Sequence, residues 1–248
     1  MAENQAVRLV IYPWVNTQSE AIGETGPEPV FPGLLYVING HKEILDIVAG
    51  PPPKETRSGD GGHTAESTQA GIYVLDKAEI HTTPNWPASV VPWGAEIRRQ
   101  HGIIQYRFGN QWRDATGPRG GVTQALRLWN TRTEASRRIP PQRLEEIANS
   151  YFIDRVTGQL TEVYKNNDFG KVSWNLKRNG KRTAYYIHTT PFDEFNTAAG
   201  NIVTLTQSHG CIHIRPQDRD RFVKAGYLRE GITVDIRQYG EVGPPADF

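Results

Sequence analysis

Short hydrophobic runs of alternating or β-branched character divide the chain into segments of strand length. Val7–Tyr12 and Gly71–Leu75 are two such runs, rich in the residues that strands favour. Leu34–Ile38 and Lys42–Val48 flank Asn39-Gly40, a dipeptide typical of two-residue hairpin turns. The pattern predicts two strands and one hairpin in this part of the chain.

The same signals return in the second half. Val172–Leu176 and Thr183–His188 flank Asn179-Gly180 and predict a second hairpin. Gly231–Ile236 predicts a final strand, and Ile97–Phe108 predicts one further strand. Strand signals therefore dominate both ends of the chain.

Helical periodicity is confined to three segments. Thr123–Trp129 and Pro141–Phe152 place hydrophobic residues on one face. Pro216–Ala225 carries a proline in its first turn and is followed by Gly226, which favours a helix that ends there.

Gly50–Gly71 contains three consecutive prolines and shows neither the hydrophobic period of a strand nor that of a helix. This pattern predicts a long loop.

Composition and charge narrow the class of protein. The 248 residues carry 28 basic and 27 acidic side chains and are 37% hydrophobic. This composition excludes a wholly disordered chain and a coiled coil. The balanced charge provides no overall electrostatic field that would attract nucleic acid or a membrane surface. No apolar run is long enough for a membrane span, and Val7–Tyr12 is too short for the hydrophobic region of a secretory signal. Ten arginines between Arg98 and Arg143 form either a solvated face or carboxylate-binding groups.

The chemistry of the chain centres on its single cysteine. One thiol excludes an intramolecular disulfide and a metal site built from several thiolates. Cys211 lies in Ser208–His213, a segment with two histidines, and His188 ends a predicted strand upstream. A thiol attacks as its thiolate, and an imidazole is the usual group that takes its proton. The absence of a Cβ at Gly210 allows close backbone approach to a substrate.

These residues carry a family resemblance. The string SHGC at Ser208–Cys211, preceded by a strand that ends in His188, resembles the signature of the L,D-transpeptidase catalytic domain, a family of cysteine enzymes of bacterial peptidoglycan. Leu35–Val37 is similar to the opening strand of that family. Ser67–Tyr73 is similar to its Thr-Pro-x-Gly-x-Tyr element, with Gln69 in the place of proline. The resemblance covers about 34–80 and 183–237 and leaves 95–180 unmatched.

The resemblance implies a role for each residue of the motif. Cys211 would be the nucleophile and His188 its base, with the backbone carbonyl of Thr189 orienting the imidazole. His209, Gly210 and Cys211 would supply backbone N–H groups to an oxyanion hole, and no metal or cofactor would be needed.

Three further residues are assigned to substrate binding. Ser208 would also fix the loop. His213 stands where the family usually has arginine or asparagine, and Arg215, which would share a face with it in an extended segment, is the cation expected to replace that group.

The resemblance also implies a fold and its boundaries. We expect a mainly β, L,D-transpeptidase-like domain over 34–240, a β-sandwich or barrel-like core formed by 30–108 and 181–240. A helical and loop segment at about 95–180 would be inserted over the active site. Residues 1–33 would add an N-terminal strand, and 241–248 would be a loose tail.

The implied reaction is acyl transfer on peptidoglycan stem tetrapeptides through a thioester. The acceptor would be a neighbouring stem amine, giving a 3-3 crosslink, or a D-amino acid, a lipoprotein lysine or water; with water the protein is an L,D-carboxypeptidase. The expected location is the periplasm or cell envelope, although no signal peptide is visible. An interbacterial toxin with an immunity or secretion partner would perform the same chemistry.

Three other interpretations of the motif stay open. His188, His209, Cys211 and His213 are four candidate zinc ligands. Cys211 could instead be a buried structural residue. A peptidoglycan-binding module that has lost turnover is the third alternative, and His213 is the residue that favours it.

Overall fold

The computed structural model describes residues 7–15, 30–39, 42–53, 57–58, 64–133, 135, 138–154 and 156–245. Over these residues the protein is mainly β, as the sequence predicts, with a large mixed sheet and four α-helices. In the same part of the chain, no helix is both long enough and apolar enough to cross a membrane.

The strands and helices follow one another along the chain. The strands are β1 (Arg8–Tyr12), β2 (Pro32–Ile38), β3 (Lys42–Val48), β4 (Arg57–Ser58), β5 (Thr64–Ala65), β6 (Gly71–Glu79), β7 (Ile97–Gln100), β8 (Ile103–Phe108), β9 (Gln111–Asp114), β10 (Ser173–Arg178), β11 (Lys181–His188), β12 (Ile212–His213) and β13 (Thr233–Ile236). The helices are α1 (Gly121–Arg132), α2 (Pro141–Ser150), α3 (Pro191–Ala198) and α4 (Pro216–Ala225).

Eight strands form one closed barrel in the order β1-β13-β6-β10-β11-β12-β3-β2. Closure depends on β1, which pairs in parallel with β13 on one side and antiparallel with β2 on the other. The core is therefore barrel-like and not a sandwich of two packed sheets. The N-terminal strand expected within 1–33 is one of the eight strands.

The interior of the barrel follows the period-two alternation of its strands. On β6, Tyr73 and Leu75 are buried while Ile72 and Val74 are exposed. Strands from all sides contribute buried aliphatic and aromatic side chains to this interior, among them Leu9, Leu35, Trp174, Ile187, Ile212 and Val234. The same alternation determines whether a polar residue on these strands lies on the inner or the outer face of the barrel.

Both predicted hairpins of the barrel are present. β2 and β3 pair antiparallel, as do β10 and β11. Asn179 and Gly180 between the latter have φ values of 52° and 73°, the left-handed backbone that an Asn-Gly hairpin turn requires. Gly40 of the first turn lies outside the described residues.

A second compact unit is built on Ile80–Val172, inserted in the chain between β6 and β10. Its antiparallel sheet β7-β8-β9 and helices α1 and α2 share a hydrophobic cluster that includes Ile104, Tyr106, Leu126 and Phe152. Both boundaries differ from those of the predicted insertion at 95–180, because the barrel strand β6 already ends at Glu79 and the next barrel strand, β10, begins at Ser173.

Other sequence predictions need correction. The single strand predicted over Ile97–Phe108 is a hairpin in the second unit, because His101 and Gly102 adopt positive φ values of 49° and 79° and reverse the chain. The Gly50–Gly71 loop contains the short paired strands β4 and β5. β9 and α3 were not predicted.

The ten arginines between Arg98 and Arg143 keep both of their interpretations, a solvated face or carboxylate-binding groups. One of them, Arg98, lies over the ring of Trp112, with Cζ 4.1 Å from the ring centroid.

The alternation on β6 can be tested with two neighbouring residues. We expect Leu75→Ala to lower the free energy of unfolding by about 2–5 kcal/mol, because it leaves a cavity in the barrel interior. Val74→Ala on the outer face should lower it by less than about 1 kcal/mol. Urea titration of both variants measures the difference, and equal losses would show that the assignment of faces is wrong.

Candidate active site

The candidate site is built on the parallel pair β11 and β12. Ile187 lies beside Ile212, and His188 lies beside His213. Because both isoleucines are fully buried in the barrel, the two histidines lie on the outer face of the sheet. Cys211 directly precedes β12 and by the same alternation shares the face of His213.

Cys211 lies along β11, close to that strand's backbone. Its Sγ is 3.8 Å from the carbonyl oxygen of Ala184, two residues before Tyr186 on the strand. The residue as a whole is partly exposed to solvent. Protein atoms nevertheless surround the sulfur closely enough that burial raises the pKa of the thiol to about 12, with a hydrogen bond from the Tyr186 backbone acting in the opposite direction. The resting sulfur is therefore a neutral thiol.

His188 has the hydrogen bonding of a general base. Its Nδ1 lies 2.7 Å from the carbonyl oxygen of Thr189. A carbonyl only accepts hydrogen bonds, so Nδ1 carries the proton and Nε2 is the unprotonated nitrogen of the neutral ring. The carbonyl of Thr189 thus makes the contact with His188 through which it was expected to orient the imidazole.

The residue that orients His188 is itself held by a buried ion pair. Thr189 Oγ1 donates a hydrogen bond of 2.7 Å to Glu194 Oε1 on α3. The same carboxylate pairs with Arg219 of α4, and both charged side chains are almost completely buried. The two helices thereby hold the backbone that follows β11.

His213 supports His188 and does not face a substrate as predicted. The two rings lie 4.6 Å apart between centroids at an interplanar angle of 70°. His213 is buried, and its Nδ1 lies 3.3 Å from the carbonyl oxygen of Thr206. Burial lowers the pKa of His213 to about 4, so its ring is neutral at physiological pH. The parallel register, which places it beside His188, is the reason for this correction.

The turn before Cys211 is closed by its own hydrogen bonds. Ser208 Oγ donates to the carbonyl oxygen of Cys211 at 2.6 Å and accepts from the N–H of Gly210 at 3.2 Å. Ser208 is fully buried, so it fixes the loop as expected but is not a substrate contact. The Gly210 N–H is used inside the turn. His209, whose side chain is exposed, and Cys211 are the other two residues whose backbone N–H groups were expected to form the oxyanion hole.

Arg215 is engaged in contacts of the fold. Its Nη1 lies 3.4 Å from Asp46 Oδ2 and 3.8 Å from Asp218 Oδ2, and its Nε donates to the carbonyl oxygen of Val203 at 3.2 Å. Asp46 and Asp218 thus pair with Arg215, the residue that was expected to replace the cation of the family. The structure provides no support for Arg215 as that substrate-binding group.

The zinc interpretation lacks a suitable ligand cluster. Within the described residues, no three His, Cys, Asp or Glu side chains are arranged to hold one metal ion. His188 and His213 both direct Nδ1 at backbone carbonyls, and their rings meet edge to face.

Sequence reasoning missed several residues that build the site. Tyr186, half-buried on the face of His188, is a neighbour of Cys211 and forms one wall of the site. Glu194 and Arg219 were also missed, although Thr190 followed by Pro191 and two acidic residues is a recognisable helix start. No sequence signal marks Arg219 as the partner of Glu194.

Comparison with protein-family models, curated proteins and solved structures finds no significant match to this chain. The interpretation of the site therefore depends on its own geometry.

The protonation state of Cys211 predicts how fast it is alkylated. Because the pKa of the thiol is about 12, we expect slow reaction with iodoacetamide at pH 7 and a rise of about tenfold per pH unit up to pH 9. Mass spectrometry of the intact chain reports this residue alone, since there is no second cysteine. The urea-unfolded chain is the control and should react faster at each pH. A rate that is independent of pH between 6 and 8 would instead indicate a thiolate paired with His188.

The buried ion pair behind Thr189 predicts a large stability effect. We expect Glu194→Gln to lower the free energy of unfolding by about 3 kcal/mol, because it leaves the buried Arg219 without its main counter-charge. Asp46→Asn, which breaks an exposed ion pair in the same unit, should lower it by less than about 1 kcal/mol. Urea titration measures both, and a Glu194→Gln variant as stable as the parent would contradict the role of this pair.

Proposed function

We propose that this protein is a cysteine acyltransferase of the L,D-transpeptidase type that acts on peptidoglycan stem tetrapeptides. The observation that carries the proposal is the β11–β12 pair, in which Cys211, a partly exposed residue, lies on the same sheet face as His188, whose Nδ1 faces a backbone carbonyl. The resemblance of Ser208–Cys211 to the family signature supplies the substrate class.

The first step forms a thioester. Cys211 Sγ attacks the carbonyl carbon at the L-centre of the third stem residue while His188 Nε2 takes the thiol proton. The carbonyl oxygen becomes an oxyanion, which backbone N–H groups at Cys211 and His209 stabilise. When this intermediate collapses, the C–N bond to D-alanine breaks and His188 returns the proton to the leaving amine.

The second step resolves the thioester. An amine of a neighbouring stem or a D-amino acid attacks the acyl carbon, loses a proton to His188 and leaves a new amide, while the sulfur recovers its proton. Water in the same position gives a free carboxylate and makes the protein an L,D-carboxypeptidase. A difference of about 1.4 kcal/mol between the two barriers changes their ratio tenfold.

The raised pKa of Cys211 favours a second candidate function. Because the resting thiol is neutral and Arg215 is paired with Asp46 and Asp218, the same fold could bind stem peptides without turnover. Either function belongs to the cell envelope, and a toxin with an immunity or secretion partner would use the same site.

Incubation with purified tetrapeptide muropeptides, followed by mass spectrometry, tests the proposal. We expect the parent chain to yield crosslinked dimers or tripeptides and a covalent adduct on Cys211, whereas Cys211→Ala should yield neither. His188→Asn should lower the rate by at least about 10²-fold, because the attacking thiol then lacks its base.

The outcomes separate the candidates. Dimers indicate transpeptidation, and tripeptides indicate carboxypeptidation. Binding of the muropeptide without product or adduct would favour the non-catalytic module. Product formation by Cys211→Ala at the parent rate would contradict a cysteine mechanism.

A further inference from the structure

We propose that Thr68 is a positioning residue that orients the backbone N–H of Cys211 for the oxyanion. This inference rests on the proposed acyl transfer and assigns a role to a residue outside the SHGC segment. Thr68 is fully buried and lies between β5 and β6, far from Cys211 in the sequence.

The Thr68 hydroxyl forms two buried hydrogen bonds to different parts of the chain. Its Oγ1 donates to the carbonyl oxygen of Gly210 at 2.8 Å and accepts from the N–H of Gly50 at 2.9 Å. One hydroxyl thus connects the turn before Cys211 to the segment that follows β3. The hydroxyl proton is directed at Gly210, because a carbonyl oxygen can only accept, whereas the Gly50 N–H can only donate to the hydroxyl oxygen.

The planarity of the peptide bond converts this contact into an orientation. In a trans peptide the C=O of one residue and the N–H of the next point in opposite directions. Fixing the Gly210 carbonyl on Thr68 therefore directs the Cys211 N–H away from the buried Thr68. Since the Gly210 N–H is used by Ser208, the Cys211 N–H is the donor of this peptide pair that remains for an oxyanion.

Close packing prevents the turn from shifting away from Thr68. A Cβ on Gly50 would lie 2.1 Å from the carbonyl oxygen of Glu66 and 2.8 Å from Gly210 Cα, so the three segments touch through their backbones. Gly210 itself has a φ of 120°, a conformation that other residues rarely adopt. The direction of the Gly210–Cys211 peptide is therefore set by backbone contacts and by one side-chain hydroxyl.

Tyr239 provides a matched control. Its hydroxyl accepts from the Thr68 N–H at 3.0 Å and donates to the Gly50 carbonyl at 2.8 Å. Tyr239→Phe removes two hydrogen bonds from the same cluster of residues, but it leaves the contact between Thr68 and Gly210 in place. If Thr68→Val acted only by lowering the stability of this cluster, Tyr239→Phe should lower acyl transfer as well.

The test compares acyl transfer with alkylation of the same sulfur. We expect Thr68→Val to lower kcat for muropeptide acylation roughly tenfold to a hundredfold with KM little changed, because a misdirected donor stabilises the oxyanion poorly. Alkylation of Cys211 by iodoacetamide forms no oxyanion, so its rate should stay within about twofold of the parent. Thr68→Ser, which keeps the hydroxyl, should recover kcat, and Tyr239→Phe should stay within about threefold.

Each contrary result has a distinct meaning. If Thr68→Val retains the parent kcat, or if alkylation and Tyr239→Phe acylation fall as far as Thr68→Val acylation, the inference is wrong and the residue only stabilises the fold. If the parent chain itself transfers no acyl group, the proposed function fails, and the role of Thr68 fails with it.

Discussion

The candidate site depends on the parallel pairing of β11 with a β12 of only two residues. Ile212 anchors β12 in the barrel, and the N–H of Ile214 bonds to the carbonyl of His188, so the short strand keeps its register. A shift of one residue would turn Cys211 and His213 into the barrel interior. The hydrophobic core therefore decides whether the thiol and the imidazole share a face.

The same packing that places Cys211 also determines its chemistry. Burial raises the pKa of the thiol to about 12 and lowers that of His213 to about 4, so burial favours the neutral form of each. The orienting contact from Thr189 leaves Nε2 of His188 as the nitrogen that accepts a proton. In the proposed reaction, Cys211 would therefore lose its proton during attack and would not be a thiolate beforehand.

The sequence predicts the elements of the barrel better than the contacts of the site. Asn-Gly turns and alternating runs locate both hairpins, and the first-turn proline and the glycine after the last turn locate α4, because these signals are local. The position of His213 depends on the register of β11 and β12, and the partners of Arg215 are carboxylates from β3 and α4. No local sequence pattern encodes either. The hairpin at His101-Gly102 was missed because this pair is not one of the Asn-Gly, Asp-Gly or Gly-Gly dipeptides that mark two-residue hairpin turns.

The polar groups around Cys211 consist mainly of dipoles, not free charges. Arg215 is paired with Asp46 and Asp218, Arg219 with Glu194, and His213 is neutral. In the proposed acyl transfer, the negative charge on the substrate oxygen would therefore be stabilised largely by backbone N–H groups, which are effective only when their direction is fixed beforehand. The hydrogen bonds that close the turn at Ser208–Cys211 supply such fixed directions, and this is the structural link between the turn and the proposed reaction.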